Sequence, residues 1–433
     1  MLLVYTHKIT PRLSYIFKLF FTRVLHIPVT FTTVVDEFVS HNGPKLTYSK
    51  LPLGNEFFIR SHSLLFEQGI SDVDIIMSTW DEVPCFFSAK AKASLPFDVF
   101  AASFYLISRY EEYLPHVKDS YERFPASESL AYKNGFLNKP LVDIWAAKFL
   151  GLLKEKFPNY DFPIRKFEFI STINVDNVFA YKQKGIVRNT AGFIRDFFSF
   201  RFGKFVERFL VLLNLRKDPY DTFEEIVALS KEHNCKTIFF FLLSEYTTYD
   251  TNISPSNFVY KSLIKSIADY VDVGLLPSHF TMNNGVKLKK EKDRIEQIVN
   301  RPILKSRQHY VRMILPDTYQ NLVELGVEED YSMGYKDATG FRASTCTPFY
   351  FYDLDFEIQI PIKLFPFAVS DLALKNHFNY VPTIAKSKIN KLIDEVKNVD
   401  GTFIMIFHNK TIAKNSHNQN WNQLYIDTIS ENS

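Results

Sequence analysis

The 433-residue chain predicts an α/β protein with a mostly parallel sheet or a closed barrel. Three observations carry this. Helix-patterned and strand-patterned runs alternate with short connections from about residue 167 onward. The strand-like runs end, one after another, in residues able to do chemistry. The length and the 46% hydrophobic content allow a large core and favour two domains over one.

In chain order, LLVYT (2–6) reads as a strand, and Thr10 with Pro11 opens an amphipathic helix over 13–25. His7, Lys8, Arg12, Lys18 and Arg23 interrupt the apolar residues there. The start therefore matches neither a signal peptide nor a spanning helix of roughly 18 apolar residues. It reads as a folded β-α start, with a basic, Phe-rich helix on a membrane surface as the alternative.

Up to about residue 163 the chain reads as a smaller accessory α/β domain of unassigned role. VDIIMSTW (73–80) and CFFSAK (85–90) read as strands around a turn. FDVFAASFYLISRYEEYL (97–114) reads as one apolar helix whose adjacent Glu111 and Glu112 point in different directions and face water. A helix over 142–157 and the proline-bounded FPNYDFPIRK (157–166) place the domain boundary, giving 1–163 and 164–433.

In FEFISTINVDNVFAY (167–181), Phe167, Phe169, Ile173 and Val175 fall at period two, a strand that delivers Asn174, Asp176 and Asn177 at its carboxyl end. DTFEEIVALSKEH (221–233) begins with Thr222 and Glu225 at capping-box spacing and precedes the buried-type strand KTIFFFLLS (236–244). A helix over 256–270 leads to VDVGLL (271–276) and His279, and one over 288–300 leads to ILKS (303–306), Arg307 and His309. A helix over 318–326, closed by Gly326, precedes a short run after Asp330 that leads to Arg342; TFIMIF (402–407) leads to His408.

Composition narrows the classes. Forty-three Phe and 23 Tyr against 14 Gly exclude a disordered chain. A net charge of +3 without a Lys/Arg-rich stripe speaks against nucleic acid as a partner; the densest run, 287–292, is broken by Glu291 and reads as a solvated helix face. Cys85, Cys235 and Cys346 are far apart and odd in number, so they form no disulfide framework and no metal knuckle, and they suit a reducing, cytoplasmic setting. Cys346 reads as a buried thiol rather than a nucleophile.

NVDN (174–177), DPYDTF (218–223), GLLPSH (274–279), SRQHYVR (306–312), DYSMGY (330–335), GFRASTCTPFYFYDL (340–354) and FHN (407–409) together resemble a known family. It is the polysaccharide deacetylases with a NodB-homology domain, carbohydrate esterase family four, in the longer two-domain form of Bacteroidetes-type bacteria. SRYEEY (108–113) and GFLNKP (135–140) extend the likeness into the first half. It implies a distorted (β/α) barrel over 164–433 and metal-dependent hydrolysis of acetamido groups on a carbohydrate. The metal lowers a water's pKa and polarises the acetyl carbonyl, while a carboxylate and an imidazole pass protons.

Residue by residue, the resemblance implies Asp176, His279 and His309 as ligands of zinc or another divalent metal, and His408 as the late acid. Two positions depart from the family pattern. Asn174 stands where the family has its base, and an amide accepts no proton near neutral pH. Leu276 stands where a histidine ligand is expected, and it has no donor atom. Arg307 and Arg342 are expected to orient carboxylates or sugar oxygens, with Asp371 pairing with one of them. Three functions stay open: a sugar N-deacetylase with a rebuilt site, an inactive paralogue that binds carbohydrate or a protein, and another amidohydrolase-like barrel enzyme.

Overall fold

The computed structural model describes residues 1–89, 93–414 and 420–433. Its contacts divide the chain into two units. The first takes in Met1–Glu168, Met313–Ala368 and Lys391–Phe403; the second takes in Phe169–Arg312, Val369–Asn390 and Ile404–Ser433. In chain order the strands are β1 (Leu2–Thr6), β2 (Val29–Thr32), β3 (Lys45–Ser49), β4 (Phe57–Arg60), β5 (Ser78–Trp80), β6 (Val83–Cys85), β7 (Glu168–Val175), β8 (Lys236–Phe241), β9 (Asp272–Leu275), β10 (Lys305–Ser306), β11 (Glu329–Asp330), β12 (Phe349–Asp353), β13 (Ile358–Leu364), β14 (Val369–Ser370) and β15 (Thr402–His408). This is a mixed α/β protein with parallel sheets.

In the first unit, β2-β1-β3-β4 form a parallel sheet. Thr10 caps the helix Pro11–Phe17 by accepting from the Leu13 N–H at 3.1 Å, and Lys18–Val24 continues it as π-helix. Phe17, Phe20 and Phe21 are fully buried, with Phe17 stacked on Phe100 at 3.9 Å between centroids. The aromatic face of this helix is therefore core, and the membrane-surface alternative for it falls.

Several local expectations are corrected here. The strands read over 73–80 and 85–90 shrink to the hairpin β5–β6, because 73–77 has no ladder partner and 86–89 contributes one bridge, Ser88 to Phe97. Residue 90 lies outside the described residues. The helix read over 97–114 starts after Asp98, whose carboxylate accepts from the Phe100 and Ala101 N–H groups, both at 3.0 Å. It then breaks at Arg109, whose φ of 55° is left-handed, and resumes over Tyr110–Tyr113. That break turns Glu111 and Glu112 inward rather than to water. The run expected after Asp330 is β11 itself, which ends at Asp330.

Helix Asp317–Glu324 ends as expected, with Gly326 at a positive φ of 72°. On helix Leu141–Lys156, the Asp143 carboxylate accepts from Thr345 Oγ1 at 2.6 Å, the Cys346 N–H at 3.0 Å and Thr347 Oγ1. This fixes the STCT turn. Cys346 is fully buried, and burial, reinforced by Asp143, pushes its thiol well up, as expected of an inert buried thiol.

In the second unit the strands pair in the order β10-β9-β8-β7-β15-β14, with β7–β8, β8–β9, β9–β10 and β14–β15 parallel. Successive strands leave β7 in one direction through β8 to β10, and β15 and β14 lie on its other side. The chain order thus switches at β7, and the crevice outside such a switch point is where open α/β sheets bind ligands. All of β7 after Glu168 is buried. Its polar residues face the interior as well: Ser171 bonds Tyr425 Oη at 2.9 Å, and Thr172 Oγ1 donates to the Met405 carbonyl at 2.6 Å.

The capping box at Thr222 does not form. Its hydroxyl makes no cap bond to the helix Phe223–Glu232 and lies 3.5 Å from the Asn409 carbonyl instead. Nor is 287–292 simply solvated: on helix Gly285–Val299, Glu291 is buried and accepts from the Ser278 N–H (2.9 Å) and Oγ (2.6 Å), while Lys292 pairs with Glu296. The segment 185–212, unassigned from sequence, forms two helices, Gly185–Phe198 and Phe202–Leu212. Among the described residues no helix is long and apolar enough to cross a membrane.

Candidate functional site

Asp176 follows β7, and His408 and Lys410 sit at the end of β15, so adjacent strands deliver them to the switch point. Asn409 ties the loops together by donating to the Asn177 and Tyr220 carbonyls, both at 3.0 Å. Asp218 of the DPYDTF motif holds the loop after β7 by accepting from the Ala180, Tyr181 and Lys182 N–H groups at 2.8, 2.9 and 3.0 Å.

Asp176 is buried. Its Oδ2 forms an ion pair with Lys410 Nζ, and its Oδ1 is buried without a hydrogen-bond partner. Burial opposes ionisation of Asp176, but Lys410, His408 and His309 outweigh it and hold the carboxyl well below its ordinary range. Burial likewise works against the Lys410 ammonium, and Asp176 more than restores it. The pair is therefore ionised at neutral pH.

Two imidazoles stand on carboxylates. His408 Nδ1 lies 2.7 Å from Asp371 Oδ1, and the His408 N–H donates to Asp371 Oδ2 at 2.8 Å. Asp371 thus pairs with His408 and not with an arginine, which corrects the sequence expectation. His309 Nδ1 lies 2.9 Å from Asp250 Oδ1. A carboxylate on Nδ1 holds the proton there and leaves Nε2 for other work. Although burial raises both carboxyls, the facing histidines keep Asp371 and Asp250 below the ordinary value.

The remaining sequence candidates are placed as follows. The His279 ring stacks on Tyr249 with centroids 3.9 Å apart and planes 5° apart, and the His279 backbone N–H donates to Asp250 at 3.2 Å. Asn174 is buried and its Oδ1 accepts from Arg307 Nη1 at 3.3 Å. Arg307 also donates to Thr172 Oγ1 at 2.6 Å and lies over Phe240, which makes it an internal brace of β7. Leu276 is fully buried. Arg342 belongs to the first unit, where Nε and Nη2 grip Glu112 at 2.8 and 2.5 Å.

Asp250 and Lys410 are among the charged residues that sequence reading missed. The rule that polar residues follow strand ends, applied to KTIFFFLLS as it was to its neighbours, leads into the loop carrying Asp250. Lys410 lies one residue past the FHN motif, where a side chain can reach back across the strand end.

A cavity of about 630 Å³ opens beside Lys410. Lys184, Arg208, Lys375, Lys414, Tyr181 and Tyr220 contribute to its wall, which is dominated by cations. Burial and the nearby Arg188 lower Lys184 to about 8.

The side chains as they stand do not fit a divalent cation. Among the described residues no three His, Cys, Asp or Glu side chains gather closely enough to hold one. Lys410 occupies one oxygen of Asp176, and His279 turns its ring onto Tyr249.

The fold and site define a mixed α/β protein with a polar, cation-walled site at a sheet switch point. A family of unknown function, DUF7033, matches residues 2–158. No curated protein matches the chain. Solved structures similar to it include a Mycobacterium smegmatis protein assigned as a polysaccharide deacetylase, at 12% identity and TM-score 0.40, covering 63% of this chain and 87% of that one. A CE4 family pseudoenzyme from Bacillus anthracis aligns at 12% identity and TM-score 0.30, covering 61% of each chain. A 4-alpha-glucanotransferase from Thermococcus litoralis aligns at 14% identity and TM-score 0.38, covering 62% of this chain and 38% of that one. Likenesses this distant carry no inference about activity.

Proposed function

We propose that the chain is a carbohydrate-binding relative of the two-domain polysaccharide deacetylases, with an accessory domain to about residue 163 and a distorted barrel over 164–433, and that it binds without metal-dependent turnover. One observation carries this reading: Lys410 is ion-paired with Asp176, the carboxylate that the sequence resemblance offers as a metal ligand. Asn174 in place of a base and Leu276 in place of a histidine point the same way. The cation-rich cavity wall suits an anionic saccharide, with Tyr181 and Tyr220 available to sugar faces. Three free, buried cysteines support a cytoplasmic setting.

A second reading keeps a zinc-dependent N-deacetylase. It is favoured by the unpartnered Asp176 Oδ1 and by the two carboxylate-backed imidazoles, an outer arrangement that metal-binding histidines commonly have. Elemental analysis and zinc titration of wild type and Asp176→Ala separate the two. No stoichiometric zinc, together with saturable binding of N-acetylated anionic saccharides that weakens in Lys410→Ala, is the expected result. Stoichiometric zinc that disappears in Asp176→Ala overturns the binding-only reading in favour of the second.

A further inference from the structure

The helices Gly185–Phe198 and Phe202–Leu212 are amphipathic the wrong way round for a soluble surface. Between them lies a polar interior. Arg208, buried, donates to Asp196 Oδ2 at 2.7 Å and to Asn189 Oδ1 at 3.2 Å, and stacks on Tyr181. Gly192 leaves room for this pairing, since a Cβ there would meet the Arg208 guanidinium at 2.3 Å and displace it. This orientation is built by specific pairing.

The apolar stripes consequently face outward. On the first helix Ile186 and Val187 are 86% and 83% exposed and Phe198 is 75% exposed; at the turn Phe200 is 81% exposed; Phe209 on the second helix and Leu213 just past its end stand more than half exposed. Aromatic rings cluster at the turn, with Phe197 and Phe200 each in edge contact with Phe202. Exposed apolar residues gathered on one helical hairpin in this way mark a docking surface.

Charge selects the occupant. Residues 182–217 carry nine Lys/Arg against two Asp/Glu, whereas the whole chain has a net charge of only +3. A second copy of the same face would meet like charge. A basic helix pair presenting Phe, Leu and Ile is the composition that lies in the interface of an anionic bilayer. We propose that this helical hairpin docks the protein on a membrane surface rich in anionic lipid, with its aromatic turn inserted among the headgroups. The inference is independent of whether the site turns over a substrate.

The test is co-sedimentation of the full chain with vesicles of phosphatidylcholine containing phosphatidylglycerol, against vesicles of phosphatidylcholine alone. Binding to the anionic vesicles, weakened by salt, is expected. Phe198→Ser with Phe209→Ser should lower partitioning by about tenfold or more, and Arg201→Gln by about fivefold, with circular dichroism unchanged because these side chains are exposed. Absence of binding to the anionic vesicles, or binding indifferent to these substitutions, overturns the proposal. So does a wild-type dimer that the Phe substitutions dissolve without any vesicle binding, which assigns the face to self-association.

Discussion

Each unit buries a cluster of charge, and the two clusters are finished differently. In the first, both oxygens of Glu112 are taken: Oε1 by Arg109 Nε at 2.7 Å and Arg342 Nε at 2.8 Å, and Oε2 by Arg342 Nη2. In the second, Asp176 has one oxygen on Lys410 and one with no bond, and Lys410 also borders a cavity. A buried carboxylate gripped by two guanidinium groups fixes a loop. One left half-paired beside open space is where a ligand group can be accommodated. The motifs SRYEEY and GFRA, which the sequence presents on equal terms with NVDN and FHN, thus meet at the gripped carboxylate, while NVDN and FHN meet at the open one.

The largest expected effect comes from removing the doubly gripped carboxylate. Glu112→Ala leaves the buried Arg342 without its carboxylate and Arg109 with Glu111 alone, and should cost about 3–5 kcal/mol in urea unfolding, a loss near zero meaning that Glu112 is not what holds the two guanidinium groups. Lys410→Met should cost less, about 1–3 kcal/mol, because Asp176 lies beside a cavity that admits water, and the same variant should weaken anionic saccharide binding measured by calorimetry. Equal losses for the two variants would erase the distinction drawn between the clusters.

Acid unfolding isolates the contribution of the gripped carboxylate. Burial disfavours the Glu112 anion, but Arg342 and Arg109 depress its pKa from 4.5 to about 2. A depressed carboxyl stabilises the fold above its unfolded pKa, and that contribution disappears as pH falls from about 4.5 to about 2. In Glu112→Gln this part of the acid dependence should vanish, leaving the part due to Asp176, which has the same sign. Unchanged acid midpoints would show that the cluster does not govern this window.

The variant most informative about the site is Asn174→Asp with Leu276→His, which is expected to fold at some cost in stability because both positions are buried. The resemblance puts a base and a ligand at these positions, so the folded double variant should take up zinc where the wild type does not. Failure to gain any metal would remove the alignment of these two residues with the family's catalytic positions.

Much of the scaffold was legible before folding. Hydrophobic spacing located β7, β8, β9 and β15, and the Thr10-Pro11 and Gly326 signals located a helix start and a helix end, because each depends on a few adjacent residues. The candidate site was legible only in part. End-of-strand logic singled out Asp176, His309 and His408, but it passed over Lys410 and Asp250 and gave Asp371 a different partner from the His408 it has.

What the sequence determined by itself was local: which segments are helix or strand, and which polar residues follow strand ends. The tertiary structure alone decided which charges meet. Lys410 reaches Asp176 across 234 positions in sequence because β15 lies beside β7, and a left-handed Arg109 turns two glutamates from solvent into the interior. It also decided the direction of the hairpin's faces. Periodicity shows that a helix has an apolar stripe; only the buried Asp196–Arg208 pair shows that this stripe points outward.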